Sequence, residues 1–182
     1  MNNGTIIAFI SNLSLEIRGE RKRKSISTND AAHAINLHSS TYSKLENDPR
    51  VTTSLLKFSQ MIEALDVSVS NVLKRVYFMQ KKSEQEINID HEFIHNFKPE
   101  SLVKEVFLVI REERESKGAS QRMIADKIKM NKRYYSDIEN GKANLLSLYR
   151  FIEISEALEV PLYVLVERAE QSLVEKGEYT KE

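Results

Sequence analysis

The sequence predicts an all-α protein made of two tandem five-helix bundles joined by a linker of about 20 residues. Three observations carry that prediction. Only five glycines and three prolines occur in 182 residues, 30% of them charged, which leaves little turn chemistry for a β protein. Apolar residues recur at helical spacing along most of the chain. Finally, the stretch YYSDIENGK, Tyr134 to Lys142, has a close copy in TYSKLENDP, Thr41 to Pro49. An offset of 93 residues aligns the chain with itself, without a gap, from Ile17 and from Ile110 onward. Roughly a third of the aligned pairs are identical, the mark of a duplicated module. A chain of this length suits two domains of about 70 residues each.

The spacing divides the chain into a first domain over 1–79, a linker over 80–98, a second domain over 99–169 and a frayed tail over 170–182. In the first domain a long helix is expected to about Lys24, followed by helices over 27–34, 38–46, 52–65 and 68–79. In the second, Pro99-Glu100-Ser101 opens a helix whose inward face is Leu102, Val103, Val106, Phe107 and Ile110, and Gly118 stops it. Ser120 can cap the next, short helix, which turns Met123, Ile124 and Ile128 inward around Ala125. After Lys129-Met130-Asn131 the pattern restarts with Tyr135 and Ile138, and Gly141 suits the left-handed residue that ends a helix. Helices over 145–158 and 161–169 complete the bundle. Ile87, Ile89, Phe93, Ile94 and Phe97 in the linker are expected to pack over the junction between the bundles.

No cysteine is present, so no disulfide and no thiolate metal site exists, which suits a reducing cytosol. The apolar runs IIAFI and VFLVI fall far short of the roughly 20 residues that span a bilayer. The amino terminus also lacks a basic stretch leading into an apolar one, so a cytoplasmic location is expected. Formal net charge is zero, and no global basic field announces a nucleic acid. Distribution says more: residues 1–75 hold 10 Lys/Arg against 7 Asp/Glu, whereas residues 99–168 hold 12 of each. Cations concentrate in RGERKRK, Arg18 to Lys24, and in Lys127, Lys129, Lys132 and Arg133. Such clusters are as often solvated helix faces as binding patches, and position decides between them.

Two short helices joined by a turn of three or four residues have the geometry of a helix-turn-helix. The run SQRMIADKIKMNKRYYSDIENGK, followed after a short gap by LYRFIEISEALEVPLYVL, resembles the lambda-repressor and Cro (XRE) type of that family over Val106 to about Val166. The first repeat resembles it over Leu13 to about Leu73, with Thr28 in place of the usual Gln, Asp48 in place of Gly and a less basic face at His38-Ser39-Ser40. In the motif, Ala125 and Ala32 stand where the helices cross, and Ile138 and Leu45 anchor the reading helix. The resemblance implies ion pairs between Arg114 and Glu139 and between Arg21 and Glu46. It also implies a bacterial or phage origin.

The resemblance places the start of the third helix in the major groove. Lys132, Arg133 and Tyr134, with Ser136 and Asp137 one turn on, become base readers, since Arg or Lys can donate to guanine, Asp can accept from cytosine and an aromatic edge can meet a thymine methyl. Gln121, Asn131, Asn140 and Lys142 suit phosphates. In the first repeat the corresponding positions are Ser39, Ser40, Thr41 and Lys44 for bases, with Thr28 and Asn47 for phosphates. One rival signal stands in the linker: HEFIH, His91 to His95, matches the zinc-binding H-E-x-x-H pattern. No third His follows at the spacing such sites use, Glu112 and Glu113 fit the solvent side of their helix better, and about 20 residues cannot build a substrate cleft. No phosphate-cradling glycine loop and no nucleophilic triad appears, so no enzyme, metal or cofactor is expected. The reading is a sequence-specific DNA-binding transcriptional regulator, a repressor by the simplest mechanism, whose two modules read a bipartite site on double-stranded DNA. The alternative is an interaction protein, antitoxin-like or anti-repressor-like, in which the second module alone reads DNA. There the first module would form a homodimer or bind a protein partner.

Overall fold

A computed structural model describes residues 3–48, 53–81, 97–143 and 146–178. Among these residues the chain is ten α-helices with no strand. The first module holds α1 (Asn3–Arg23), α2 (Thr28–Ala34), α3 (Ser39–Asn47), α4 (Leu55–Glu63) and α5 (Val69–Lys81). The second holds α6 (Pro99–Ser116), α7 (Gln121–Lys127), α8 (Lys132–Glu139), α9 (Leu148–Ala157) and α10 (Leu162–Glu175). The HEFIH pattern, Ile87, Ile89, Phe93 and Ile94 lie outside the described residues; Phe97 is buried.

Serines identical in the two copies start the helices. Ser27 accepts from the Asp30 amide and Ser120 from the Met123 amide, capping α2 and α7. Ser54 accepts from the Lys57 amide and Ser147 from the Arg150 amide, capping α4 and α9. Each satisfies a donor that the first turn leaves without an intrahelical partner. Left-handed residues also recur at the 93-residue offset: Ser25 with Gly118, Asn36 with Lys129, Asp66 with Glu159. The backbone therefore repeats even where the side chains do not. Within each module the first helix packs on the last and on the reading helix: α1 on α5 and α3, α6 on α10 and α8. Leu13, Ile17, Tyr42, Ile62 and Leu73 fill the first core, and Phe107, Ile110, Tyr135, Ile138 and Phe151 the second, the phenyl rings stacked at 5.5 Å.

Three expectations change. Met123, expected to turn inward on α7, is exposed, because the inward face of this short helix is taken by Ile124 and Ala125. The fourth helices begin later than their apolar pattern, at Leu55 and Leu148, because the preceding residues meet one another across the modules. α10 runs past Ala169 to Glu175 where a frayed end was expected, since Leu173 is buried and Lys176 bonds Glu105 at 2.7 Å.

The modules pack through α5 on α10, α4 on α6, α1 on α9 and α4 on α9. Ser54 forms an antiparallel bridge with Ser147, in which the Leu55 amide donates to Leu146 and the Leu148 amide to Thr53. Adding 93 to 54 gives 147, and the same offset exchanges one of these bonds for the other. Lys74 meets Glu167, its own counterpart, at 3.8 Å. An interface in which each residue faces its equivalent is isologous, the arrangement of a two-fold dimer. Here the covalent chain supplies both halves. Away from the axis the symmetry is broken. Glu170 accepts hydrogen bonds from the Ser70 amide and the Ser68 and Ser70 hydroxyls, while the counterpart positions carry Tyr77 against Tyr163, ring centroids 5.2 Å apart.

Candidate nucleic-acid interface

Each reading helix is held from below by the same construction. Ala32 and Ala125 are fully buried at the crossings α2/α3 and α7/α8. In the turns, the Leu37 amide donates to Ala32 and the Met130 amide to Ala125, both at 2.8 Å, around the left-handed Asn36 and Lys129. Arg114 grips Glu139 with two bonds, 2.6 and 2.9 Å, and donates a third to the Ala119 carbonyl at 2.8 Å. Arg21 does the same to Glu46 at 2.8 and 3.0 Å, and to the Ile26 carbonyl at 2.9 Å. Both pairs are buried, so their attraction is largely offset by desolvation, and their chief effect is to fix the first helix against the reading helix. Hydrogen bonding to its glutamate raises each arginine's pKa against the effect of burial. Tyr42 and Tyr135 lie fully buried beside these pairs, and desolvation followed by the adjacent carboxylate pushes both phenols up. Ile138 is fully buried, whereas Leu45 is only partly so.

On this base, Lys132, Arg133 and Tyr134 stand exposed at the start of α8, with Ser136 and Asp137 half-buried behind them. Asn131 caps the helix by accepting from the Arg133 amide at 2.8 Å, so its side chain also orders the reading end. Among the described residues Lys132, Arg133, Lys129 and Lys142 make no ion pair. On α3, Ser39, Ser40, Thr41 and Lys44 are exposed, and His38 provides no side-chain cap.

The residues assigned to phosphates have neighbours of their own. Gln121 donates to Glu139 at 2.8 Å, continuing the buried network, while Thr28 is half-buried and joins no such bond to Glu46. Asn140 donates to the Ser136 carbonyl at 2.7 Å, as Asn47 does to Ser43. Asn47 also accepts from Arg18 at 3.0 Å. Gly141 takes φ +69° and the Lys142 amide donates back to Asp137, a left-handed helix end, whereas Asp48 is extended with φ −114°. The chain therefore leaves the two reading helices differently.

Position decides between the two readings of the cation clusters. Arg18, Arg21, Arg23 and Lys24 are occupied: Arg18 by Asn47, Arg21 by Glu46, Arg23 by Glu16 and Glu20, Lys24 by Asp66. Lys127 turns away from α8 to the Ala157 carbonyl and Glu159. Glu113 meets Arg168 at 2.6 Å and Glu112 approaches the same guanidinium at 3.8 Å, and no metal-ligand cluster forms among the described residues. No helix among them is long and apolar enough to cross a membrane. The junction was also missed, although identical serines at 54 and 147 were visible in the repeat.

A short helix pair with a tight turn, set in a bundle and exposing cations at the start of its second helix, defines a helix-turn-helix binder of nucleic acid. A helix-turn-helix family model matches the chain twice, over residues 17–71 and 110–165. The chain belongs to this family, in its lambda-repressor-like (XRE) branch, and carries two copies in tandem. It is a family of DNA-binding regulators, not of enzymes. Comparison with curated proteins and with solved structures gave no match.

Proposed function

We propose that this protein is a sequence-specific transcriptional repressor that reads a bipartite DNA site with both modules. The isologous junction at Ser54 and Ser147 is the observation that carries this reading. Two-fold dimers of this class read half-sites about 34 Å apart, so each reading helix works about 17 Å from the axis. Seven residue steps separate Asn47 from Ser54, and eight separate Glu139 from Ser147. At about 3.4 Å per step those segments reach at most ~24 and ~27 Å, enough for the required placement. A single chain thereby takes the role of a dimer, with the spacing fixed by its own interface. Because Lys132-Arg133 stands where the other copy has Ser39-Ser40, the site is asymmetric, not a true palindrome. Occluding a promoter needs only tight, specific binding, which two linked readers supply.

Selection from a randomised duplex library tests the proposal, with the wild type compared to Lys132→Ala/Arg133→Ala and to Ser39→Ala/Ser40→Ala/Lys44→Ala. Two enriched half-sites, each relaxed by a different variant, are expected. A second reading is favoured by the occupied cations of the first module: the second module alone reads DNA, and the first joins a protein partner or a second copy. Enrichment of one half-site, relaxed only by the Lys132/Arg133 change, together with a dimer by light scattering, would select that reading.

A further inference from the structure

Among the described residues the histidines, His33 and His38, both belong to the helix pair of the first module, and the positions 93 residues on carry Asp126 and Asn131. His38 stands at the start of the reading helix, directly before Ser39. Its backbone is extended, φ −70° and ψ 142°, and its carbonyl accepts from the Thr41 and Tyr42 amides, so it holds the N-cap position. Its side chain does not cap. The imidazole is exposed and makes no side-chain hydrogen bond or ion pair among the described residues. In the second module the same position serves the fold, since the Asn131 side chain accepts from the Arg133 amide.

We propose that His38 binds a DNA phosphate in its protonated form and so makes occupation of the first half-site depend on pH. The proposal rests on the reading of a bipartite site by both modules. Ser39, Ser40 and Thr41 carry no charge and Lys44 is the one cation of α3, where α8 opens on Lys132 and Arg133. A phosphate at the first reading face therefore meets little fixed positive charge. Histidine is the side chain that ordinarily changes charge between pH 5 and 8, and an anion within a few ångströms favours its charged form. Once protonated, both ring nitrogens donate. The surrounding groups leave that role to His38. On α3 the Tyr42 phenol is buried and pushed up, and Glu46 is bonded to Arg21 of α1. Arg18, also on α1, bonds Asn47 at the far end of α3, while Lys44 is exposed six residues along from His38. On α2, Asp30 accepts from the Ser27 hydroxyl, and His33 is exposed in the last turn.

The test uses the full chain and selection from the randomised duplex library at pH 6 and at pH 8. The first half-site should be enriched more strongly at pH 6, and the second equally at both. On the selected duplex, affinity should be about tenfold higher at pH 6, and the log of affinity should fall more steeply with log salt there, by about one in slope. His38→Asn, which installs the capping residue of the second module, should remove both differences, as should scrambling the first half-site. His33→Gln and the linker change His91→Gln/His95→Gln should preserve them. Glu170→Gln should preserve them too, because that carboxyl, although burial raises its pKa, lies at the junction and at neither reading face. Two half-sites enriched alike at both pH values overturn the proposal and leave the bipartite reading intact, whereas absence of a first half-site at both overturns the two together. A pH dependence that survives His38→Asn, or is lost in any of the three control variants, also overturns the proposal.

Discussion

Of the five cations between Arg18 and Lys24, four are held by carboxylates, an amide or a carbonyl within the first module, and Lys22 has no such partner among the described residues. In the second module Lys129, Lys132, Arg133 and Lys142 surround the reading helix with no such partner among the described residues. A count of charge by sequence ranks the first module as the more basic, at three cations in excess against none. The structure reverses that order at the reading face. Charge that serves the fold is not available to a phosphate, and where a cation sits on the helix matters more than how many there are. The shared frame and the divergent face thus separate two roles that a repeat leaves superimposed.

The largest effects should come from the frame, and should be alike in both modules. Arg114→Ala and Arg21→Ala each leave a buried glutamate without its cation, and each should cost about 3–5 kcal/mol, read from urea midpoints. A much smaller loss for Arg21→Ala would show that the first frame is not equivalent to the second. At the face the modules should part. Lys132→Ala/Arg133→Ala should weaken binding to a selected duplex by about 1–3 kcal/mol for each base contact removed. The triple change Ser39→Ala/Ser40→Ala/Lys44→Ala should cost less, and the log of affinity against log salt should flatten more for the first variant than for the second. Equal losses would erase the distinction.

A smaller effect distinguishes the two sides of the junction. Burial raises the Glu170 pKa, against the hydrogen bonds from Ser70 and Ser68 that lower it. Its folded pKa therefore lies above its unfolded value, near 4.5. The stability it contributes is complete below that value and is lost as pH rises through the folded pKa. Glu170→Gln should flatten the fall in thermal midpoint over that window, whereas Tyr163→Phe, on the symmetry-related side, should leave the profile unchanged. The smallest effect concerns the turns. Lys129→Gly relieves a left-handed residue at φ +51° and should stabilise by up to ~1 kcal/mol. Asn36→Gly should gain less, because Asn tolerates that conformation. Both are read by calorimetry.

Much of the site was legible before the structure. The order of elements, the crossing alanines and the exposed start of the reading helix follow from local spacing, because a helix places residues three and four apart on one face. What local spacing did not reveal were the side chains' partners. Gln121 matches a phosphate-contacting position, yet it also donates to a buried carboxylate that only the fold brings near. Lys127 lies in a cluster by sequence and away from it in space, because its side chain follows the end of α9.

The sequence by itself determined the duplication, most helix boundaries to within a few residues and the Ser120 cap, since each is written in patterns among near neighbours along the chain. Tertiary structure alone decided how one copy faces the other. The Ser54–Ser147 bridge joins residues 93 apart, and no periodicity of either segment encodes which face of one module the other will cover. The same holds for the two clefts that the repeat forms at the junction. Each is assembled from both modules, and their linings differ, with Tyr77 and Phe9 in one where Glu170 and Leu102 stand in the other, a difference whose importance appears only when the two copies are set face to face.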